Sequence, residues 1–378
     1  GFSRRIAGEQ TPIYHNRPNK AFAEERGIHD RTPQGGKACL SAIGAGNSPT
    51  LEYDRYVVQH AVEYLNGTYE KPQFLCVGTY GPHHPFVAPK ELYDYYYDKV
   101  SIPEDSFRYV EHPAIEGNIL CDKDPEVVRA VRAAYYGMVE FEDQQIGIVY
   151  DAFQQYLKRT GHEGIFVYVS DHGEHAGYRG YYGKGTFYDP SIHTPMLFVG
   201  DGIEKGRQIY GATSLMDLGP TLCDIAGVMS PPDIDGCSLY PQLQGEEDEI
   251  ERMVISEVGG EIDISSGRLS YGQMVKYKSY KYIHYCGFDD ADVLYDLEKD
   301  PQESVNVIQD HEELVKRMHS LIDSSCQSEE VIRTKAEVLK QNLKILTKCT
   351  YDSEEERWHA PECARHYPER MVKSKLVT

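Results

Sequence analysis

Ile165-Phe166-Val167-Tyr168-Val169-Ser170-Asp171-His172-Gly173-Glu174 joins an apolar run directly to a cluster of polar side chains. Its first half is a short apolar run of β-branched and aromatic residues, which predicts a strand. The polar residues that follow fall just beyond the carboxyl end of a buried strand, where open α/β sheets place their ligand sites. N-terminal to it, Asp124-Pro125 offers a capping carboxylate and a proline at the first helical position, and Val128, Val131, Tyr135, Met138, Ile146, Val149, Phe153 and Leu157 recur at three- and four-residue spacings. Thr160-Gly161 closes that pattern, so a long helix is predicted immediately before the strand, with Gly137 and Gly147 inside it.

The same reading covers the flanks. Apolar spacing predicts a helix over 54–66 ended by Asn66-Gly67, and a strand buried on both faces over 74–78, between Pro72 and Gly81-Pro82. A second strand is expected at 196–199 and a helix over 214–226. Beyond residue 250 the character changes: 273–285 reads as strand-turn-strand, 292–297 as another strand, and 311–347 as helical with a break near Ser324-Ser325. The resulting division is an α/β domain over 1–250, a small α+β subdomain over 251–325, and a helical and irregular tail over 326–378 that carries Trp358. Residues 1 to about 50 show no sustained period.

Composition excludes several classes. The 378 residues carry 39 basic and 60 acidic side chains, a net charge of −21, which repels phosphate backbones and anionic lipid. Nucleic acid is therefore not an expected partner. A mean hydropathy of −0.54 leaves no apolar window long enough for a membrane span. Nine cysteines with no Cys-x-x-Cys pair, including Cys76 and Cys223 inside apolar runs, read as reduced core residues and favour a cytoplasmic compartment. The first residues, Gly1-Phe2-Ser3-Arg4-Arg5, have no signal-peptide pattern and no initiating methionine, so secretion would need a leader upstream of residue 1.

Three segments could carry chemistry. Asp171 and His172 suit a divalent metal, the carboxylate supplying charge and the imidazole a directional nitrogen, although an isolated pair of this kind more often caps a turn. Lys184, between Gly183 and Gly185, can approach an oxyanion closely and offer it a point charge, or can be a solvated loop lysine. In Gly81-Pro82-His83-His84-Pro85-Phe86, prolines restrict two histidines, one of which could donate a proton or hydrogen bond to a leaving oxygen.

In order and wording these segments resemble the sulfatase family of the alkaline-phosphatase superfamily. Ser214-Leu215-Met216-Asp217-Leu218-Gly219-Pro220-Thr221-Leu222, Asp235-Gly236-Cys237-Ser238-Leu239, and Leu294-Tyr295-Asp296-Leu297 with Asp300-Pro301 and Asn306 are similar to further motifs of that family. The resemblance covers about residues 54–310. It implies a large mixed sheet between helices and a small C-terminal domain on a four-stranded antiparallel sheet. It also implies that Asp171 and His172 are ligands of one divalent metal, calcium first, with magnesium, manganese or zinc as alternatives. Lys184 would hold the sulfate oxygens, and His83 would contact sulfate and assist departure of the alcohol. The expected reaction is metal-dependent hydrolysis of a sulfate monoester borne by a small molecule or sugar.

The family's nucleophile is a formylglycine made in a Cys/Ser-x-Pro-x-Arg motif, preceded by a strand with two aspartates that complete the metal shell. Neither is found here. Cys39-Leu40-Ser41-Ala42-Ile43 lacks the proline and the arginine. The formylglycine is therefore expected in a segment N-terminal to residue 1, and the chain alone is expected to be inactive. A central strand would then be absent, and an exposed sheet edge, a homo-oligomer or a complementing N-terminal segment is expected. Two alternatives stand beside this one: a phosphonate or phosphate monoester hydrolase, and a non-catalytic anion-binding pseudoenzyme. Arg179 and His193 stand where the family commonly has histidine and often arginine, substitutions that would reshape the substrate pocket.

Overall fold

The structure is a computed structural model that describes residues 40, 43–102, 112, 114–115, 120–262, 269–288, 291–346, 350–352 and 357–359. The irregular reading of residues 1–39, the Cys39 and Ser41 positions, and residues 360–378 of the tail lie outside the described residues. Two units divide the chain. The first is drawn from Gly1–Val110, Ile119–Tyr210 and Leu215–Asp248, the second from Glu111–Asn118, Gly211–Ser214 and Glu249–Thr378.

In the first unit, α1 (Pro49–Leu65) begins earlier than its apolar spacing suggests, because Ser48 caps it and its hydroxyl accepts the Leu51 N–H at 3.3 Å. Helix α2 covers Lys90–Tyr97. Helix α3 runs unbroken from Pro125 to Thr160, capped by Asp124 and ended by Gly161 in the left-handed conformation, φ 71°. Gly137 does not break it. A Cβ there would stand 2.8 Å from the Cβ of Ala88, so the glycine is what lets the helix lie close against its neighbour.

The strands β1 (Ile43–Ala45) and β2 (Phe86–Ala88) are parallel, whereas β3 (Leu120–Cys121) pairs antiparallel with β5 (Tyr181–Tyr182) and β4 (Ile165–Val169) antiparallel with β6 (Met196–Gly200). The short helices α4 (Asp189–Ile192) and α5 (Leu218–Ile225) follow. One core cluster joins Val58, Ala61 and Leu65 of α1 to Val149, Ala152 and Tyr156 of α3, with Leu75, Val77 and Phe166 packed against them. Each fully buried valine or leucine there contributes about 1.5–3 kcal/mol by leaving water, the alanines less.

Three expectations need correction. Residues 74–78 form no strand ladder among the described residues, and they are not buried on two faces: Leu75 and Val77 turn to the helices while Phe74 is 67% exposed. An apolar run says that a segment meets a core, but not that a neighbouring strand pairs with it. Strand β4 is likewise only partly buried, pairing with β6, whose Leu197 and Val199 are exposed. Finally, Cys76 is exposed and Cys223 only partly covered, so neither is a core residue, although both are free thiols.

The second unit holds β7 (Met253–Ile262), β8 (Leu269–Tyr277), β9 (Tyr280–Tyr285) and β10 (Val293–Asp296), an antiparallel sheet in the order β10-β9-β8-β7. Helices α6 (Glu312–Ser325) and α7 (Glu329–Leu346) are separated at the expected break. Met318 and Ile322 of α6 pack on Val275, Tyr277, Tyr282 and Leu294 of the sheet. Beside that core, Lys281 and Glu303 form an ion pair at 2.6 Å with both side chains fully buried. Among the described residues no helix is long and apolar enough to cross a membrane.

Candidate functional site

The turn after β4 is held by its own backbone. The Ser170 hydroxyl donates to the His172 carbonyl at 3.0 Å, and Gly173 N–H donates to the Ser191 carbonyl at 2.7 Å. Position 173 accepts only glycine, since a Cβ would stand 2.1 Å from the Pro190 carbonyl oxygen. Gly173→Ala is accordingly expected to cost about 1–3 kcal/mol by overpacking and to displace the Asp171 and His172 side chains, read as a lowered melting temperature together with weakened divalent-cation binding.

Glu174 explains why the acidic turn and the lysine loop belong together. One of its oxygens accepts the N–H groups of both Ala176, at 3.1 Å, and Gly183, at 2.5 Å. His175 adds two more stitches, N–H to the Gly183 carbonyl at 3.0 Å and Nε2 to the Thr186 hydroxyl at 3.0 Å. Lys184 is thereby carried to the same rim as Asp171 and His172. Its Nζ donates to His83 Nε2 at 3.0 Å, although the two residues lie 101 positions apart.

The imidazoles have assigned faces. His83 Nδ1–H donates to the His84 carbonyl at 2.9 Å, which leaves Nε2 toward Lys184. Burial, with the nearby Lys184 ammonium, pushes His83 down to about 4, so the ring is neutral near pH 7. Asp171 and His172 also act electrostatically on His83, so all four residues named from the sequence share one field. His172 Nδ1–H donates to the Gly173 carbonyl at 2.8 Å, and its Nε2 lies 3.5 Å from Asp171 Oδ2. This donor set suits a divalent cation: one imidazole nitrogen with its tautomer fixed by a backbone carbonyl, beside one carboxylate oxygen. Among the described residues no third His, Cys, Asp or Glu joins these two as a ligand cluster.

Arg179 and His193 take different places. Arg179 is buried with its guanidinium 4.0 Å above the Tyr188 ring, whereas the His193 side chain is 81% exposed.

Beneath the histidine loop lies a feature that motif reading did not reach. Asp54 of α1, fully buried, accepts Tyr80 N–H at 2.6 Å and Gly81 N–H at 2.9 Å. Glu142 of α3, also buried, hydrogen-bonds to Asp54. A Cβ on Gly81 would stand 2.6 Å from Glu142 Oε1 and 2.9 Å from Asp54 Oδ2, so only glycine lets the loop sit on the pair. Burial raises both carboxyls, Asp54 to about 6, and Glu142 further because the Asp54 charge also opposes its ionisation. Near neutral pH the pair therefore retains one proton. The signal for Glu142 was its place on the apolar stripe of α3, between Met138 and Val149.

The sequence matches the family described as Sulfatase over residues 8–228, more than half the chain. The chain belongs to the sulfatase family. A second match, to the family described as N-sulphoglucosamine sulphohydrolase, C-terminal, covers 173–328. Arylsulfatase K of Mus musculus is 28% identical over 341 residues, 81% of this chain and 59% of that protein. Choline-sulfatase of Rhizobium meliloti is 31% identical over 257 residues, 63% of this chain and 46% of that protein. Among solved structures, the phosphonate monoester hydrolase of Agrobacterium radiobacter shares the fold with a TM-score of 0.61, at 24% identity over 85% of this chain and 68% of that one. The sulfatase chain spans about half to two thirds of the length of the curated relatives it matches. Its α/β unit with both parallel and antiparallel strands and its C-terminal four-stranded antiparallel sheet form an alkaline-phosphatase-like fold.

Proposed function

We propose that this chain carries the cation-binding and oxyanion-binding side of a sulfate monoester hydrolase. The observation that carries the reading is the 3.0 Å contact of Lys184 Nζ with His83 Nε2 on the rim that also holds Asp171 and His172. Asp171 and His172 would hold one divalent cation, calcium first, which when bound supplies positive charge against the sulfate oxygens. Lys184 would donate to one of those oxygens. An anion seated between Lys184 and His83 would offset the Lys184 charge that, after burial, holds His83 down, and would favour a proton on Nε2 that could be donated toward the leaving alcohol oxygen. None of the nine cysteines lies in the Cys-x-Pro-x-Arg context that yields formylglycine, so the isolated chain is expected to bind sulfate esters without turning them over.

Calorimetric titration with an aryl sulfate in the presence of calcium tests this. Lys184→Ala removes a charged hydrogen bond of about 1.5–3 kcal/mol, so affinity should fall roughly ten- to hundredfold. Binding unchanged by Lys184→Ala, or robust turnover by the chain alone, would overturn the proposal. The fold neighbour among phosphonate monoester hydrolases makes a matched aryl phosphonate the appropriate competitor. Tighter binding of the phosphonate would favour that substrate class. If a longer form of the protein carrying a Cys-x-Pro-x-Arg segment also fails to turn over either ester, the chain is a non-catalytic anion binder.

A further inference from the structure

The second unit contains a convergence of ligating groups that the oxyanion site does not use. His284 on β9, Asp292 just ahead of β10 and His319 on α6 each offer one ligand atom, and those atoms all lie within 4.8 Å of one another. His284 Nδ1 is 2.9 and 3.1 Å from the two Asp292 oxygens. The two imidazoles stand at 88° with centroids 4.9 Å apart, an edge-to-face contact without stacking. The Tyr282 hydroxyl reaches the same point, 2.5 Å from Asp292 Oδ2 and 2.9 Å from His319 Nδ1.

We infer that His284, Asp292 and His319 form a second metal site, distinct from Asp171 and His172, that takes a zinc-class divalent ion such as Zn²⁺ or Co²⁺. Two imidazole nitrogens and one carboxylate are the donor set of borderline transition ions, whereas calcium and magnesium take oxygen-rich shells. Tetrahedral zinc sites place their donors about 2.0–2.2 Å from the ion, so the donors stand a little over 3 Å apart; the cluster spans that range and needs only a modest contraction. Tyr282 would then lie next to the ion and orient the Asp292 carboxylate. The side chains are 22%, 25% and 38% exposed for His284, Asp292 and His319, which leaves an entry path from solvent. The three ligands come from two strand ends and a helix, so an ion would cross-link the sheet to α6 where Met318 and Ile322 already pack, and its role would be to hold the unit together.

Without a metal the same groups satisfy one another as a hydrogen-bond network, and the test must separate the two cases. The full chain carrying Asp171→Asn and His172→Gln removes the other candidate ligands. Titrated with Co²⁺ alone, this variant should develop visible absorption that saturates at one equivalent, and its melting temperature should rise with added Zn²⁺. Adding His319→Gln, on the partly exposed face of α6, should weaken Co²⁺ binding by more than about tenfold, the cost of disturbing a metal shell even indirectly. His284→Gln should do the same wherever it folds. No saturable absorption in the starting variant, or binding unaffected by His319→Gln, would show a hydrogen-bond network only and overturn the inference.

Discussion

Asp54→Ala is expected to destabilise the first unit by about 2–6 kcal/mol and to release the loop that carries His83. The estimate follows from what the carboxylate does. It receives the N–H groups of Tyr80 and Gly81, and a buried N–H left without an acceptor costs about 1–3 kcal/mol each. His83 N–H in turn donates to the Tyr80 carbonyl at 3.3 Å, and the two rings lie 4.9 Å apart, so the catalytic candidate is positioned through the backbone that Asp54 holds.

Its partner gives this prediction a pH signature. Glu142, pushed up to about 10 by burial and by the Asp54 charge, keeps its proton in the folded state over a range where an unfolded glutamate has lost it. The folded state then binds more protons than the unfolded one. Stability from this group is fully present below the unfolded value of 4.5 and falls as pH rises toward about 10, with a slope of about 1.4 kcal/mol per pH unit for one proton. Arg55, Thr79 and Tyr168 also act on the pair, and Asp54, raised by burial to about 6, adds a slope of the same sign below that pH, so above it the slope belongs to Glu142. Glu142→Gln mimics the protonated acid, so its unfolding free energy should lose that slope while the histidine loop stays in place. Denaturant melts of both chains between about pH 7 and 9, above the Asp54 titration, measure the difference. Parallel pH profiles would show that Glu142 is ionised in the folded state as well as in the unfolded one.

The second large effect belongs to the other unit. Lys281→Met removes the cation that faces Glu303 in the core and should cost about 3–5 kcal/mol, because the two side chains are fully buried and 2.6 Å apart. Lys281→Met combined with Glu303→Leu should recover most of that loss, since a hydrophobic pair needs no desolvated charge. A double variant as unstable as the single one would mean that Lys281 acts through packing instead of its charge.

What was legible in the sequence was local. Asp124 and Gly161 bound α3 as read, because a cap and a left-handed terminus are properties of a few neighbouring residues. The break between α6 and α7 was legible for the same reason. Residues 74–78 were misread because strand pairing depends on a partner elsewhere in the chain. Motif wording brought out Asp171, His172, Lys184 and His83, yet it was silent on what holds them, since Asp54 and Glu142 meet only when α1 and α3 pack. Arg179, legible only as a departure from a pattern, turns out to lie buried on Tyr188.

The proposed site brings Asp171, His172, His83 and Lys184 together to hold one cation and one oxyanion. Titrating histidine-labelled protein with Mn²⁺, a paramagnetic ion that broadens nearby resonances, tests it most directly. Convergence predicts selective broadening of the His172 and His83 ring signals, abolished by Asp171→Asn, while any effect on His284 and His319 persists in that variant. Broadening of His172 without His83, or broadening of both that survives Asp171→Asn, would contradict it.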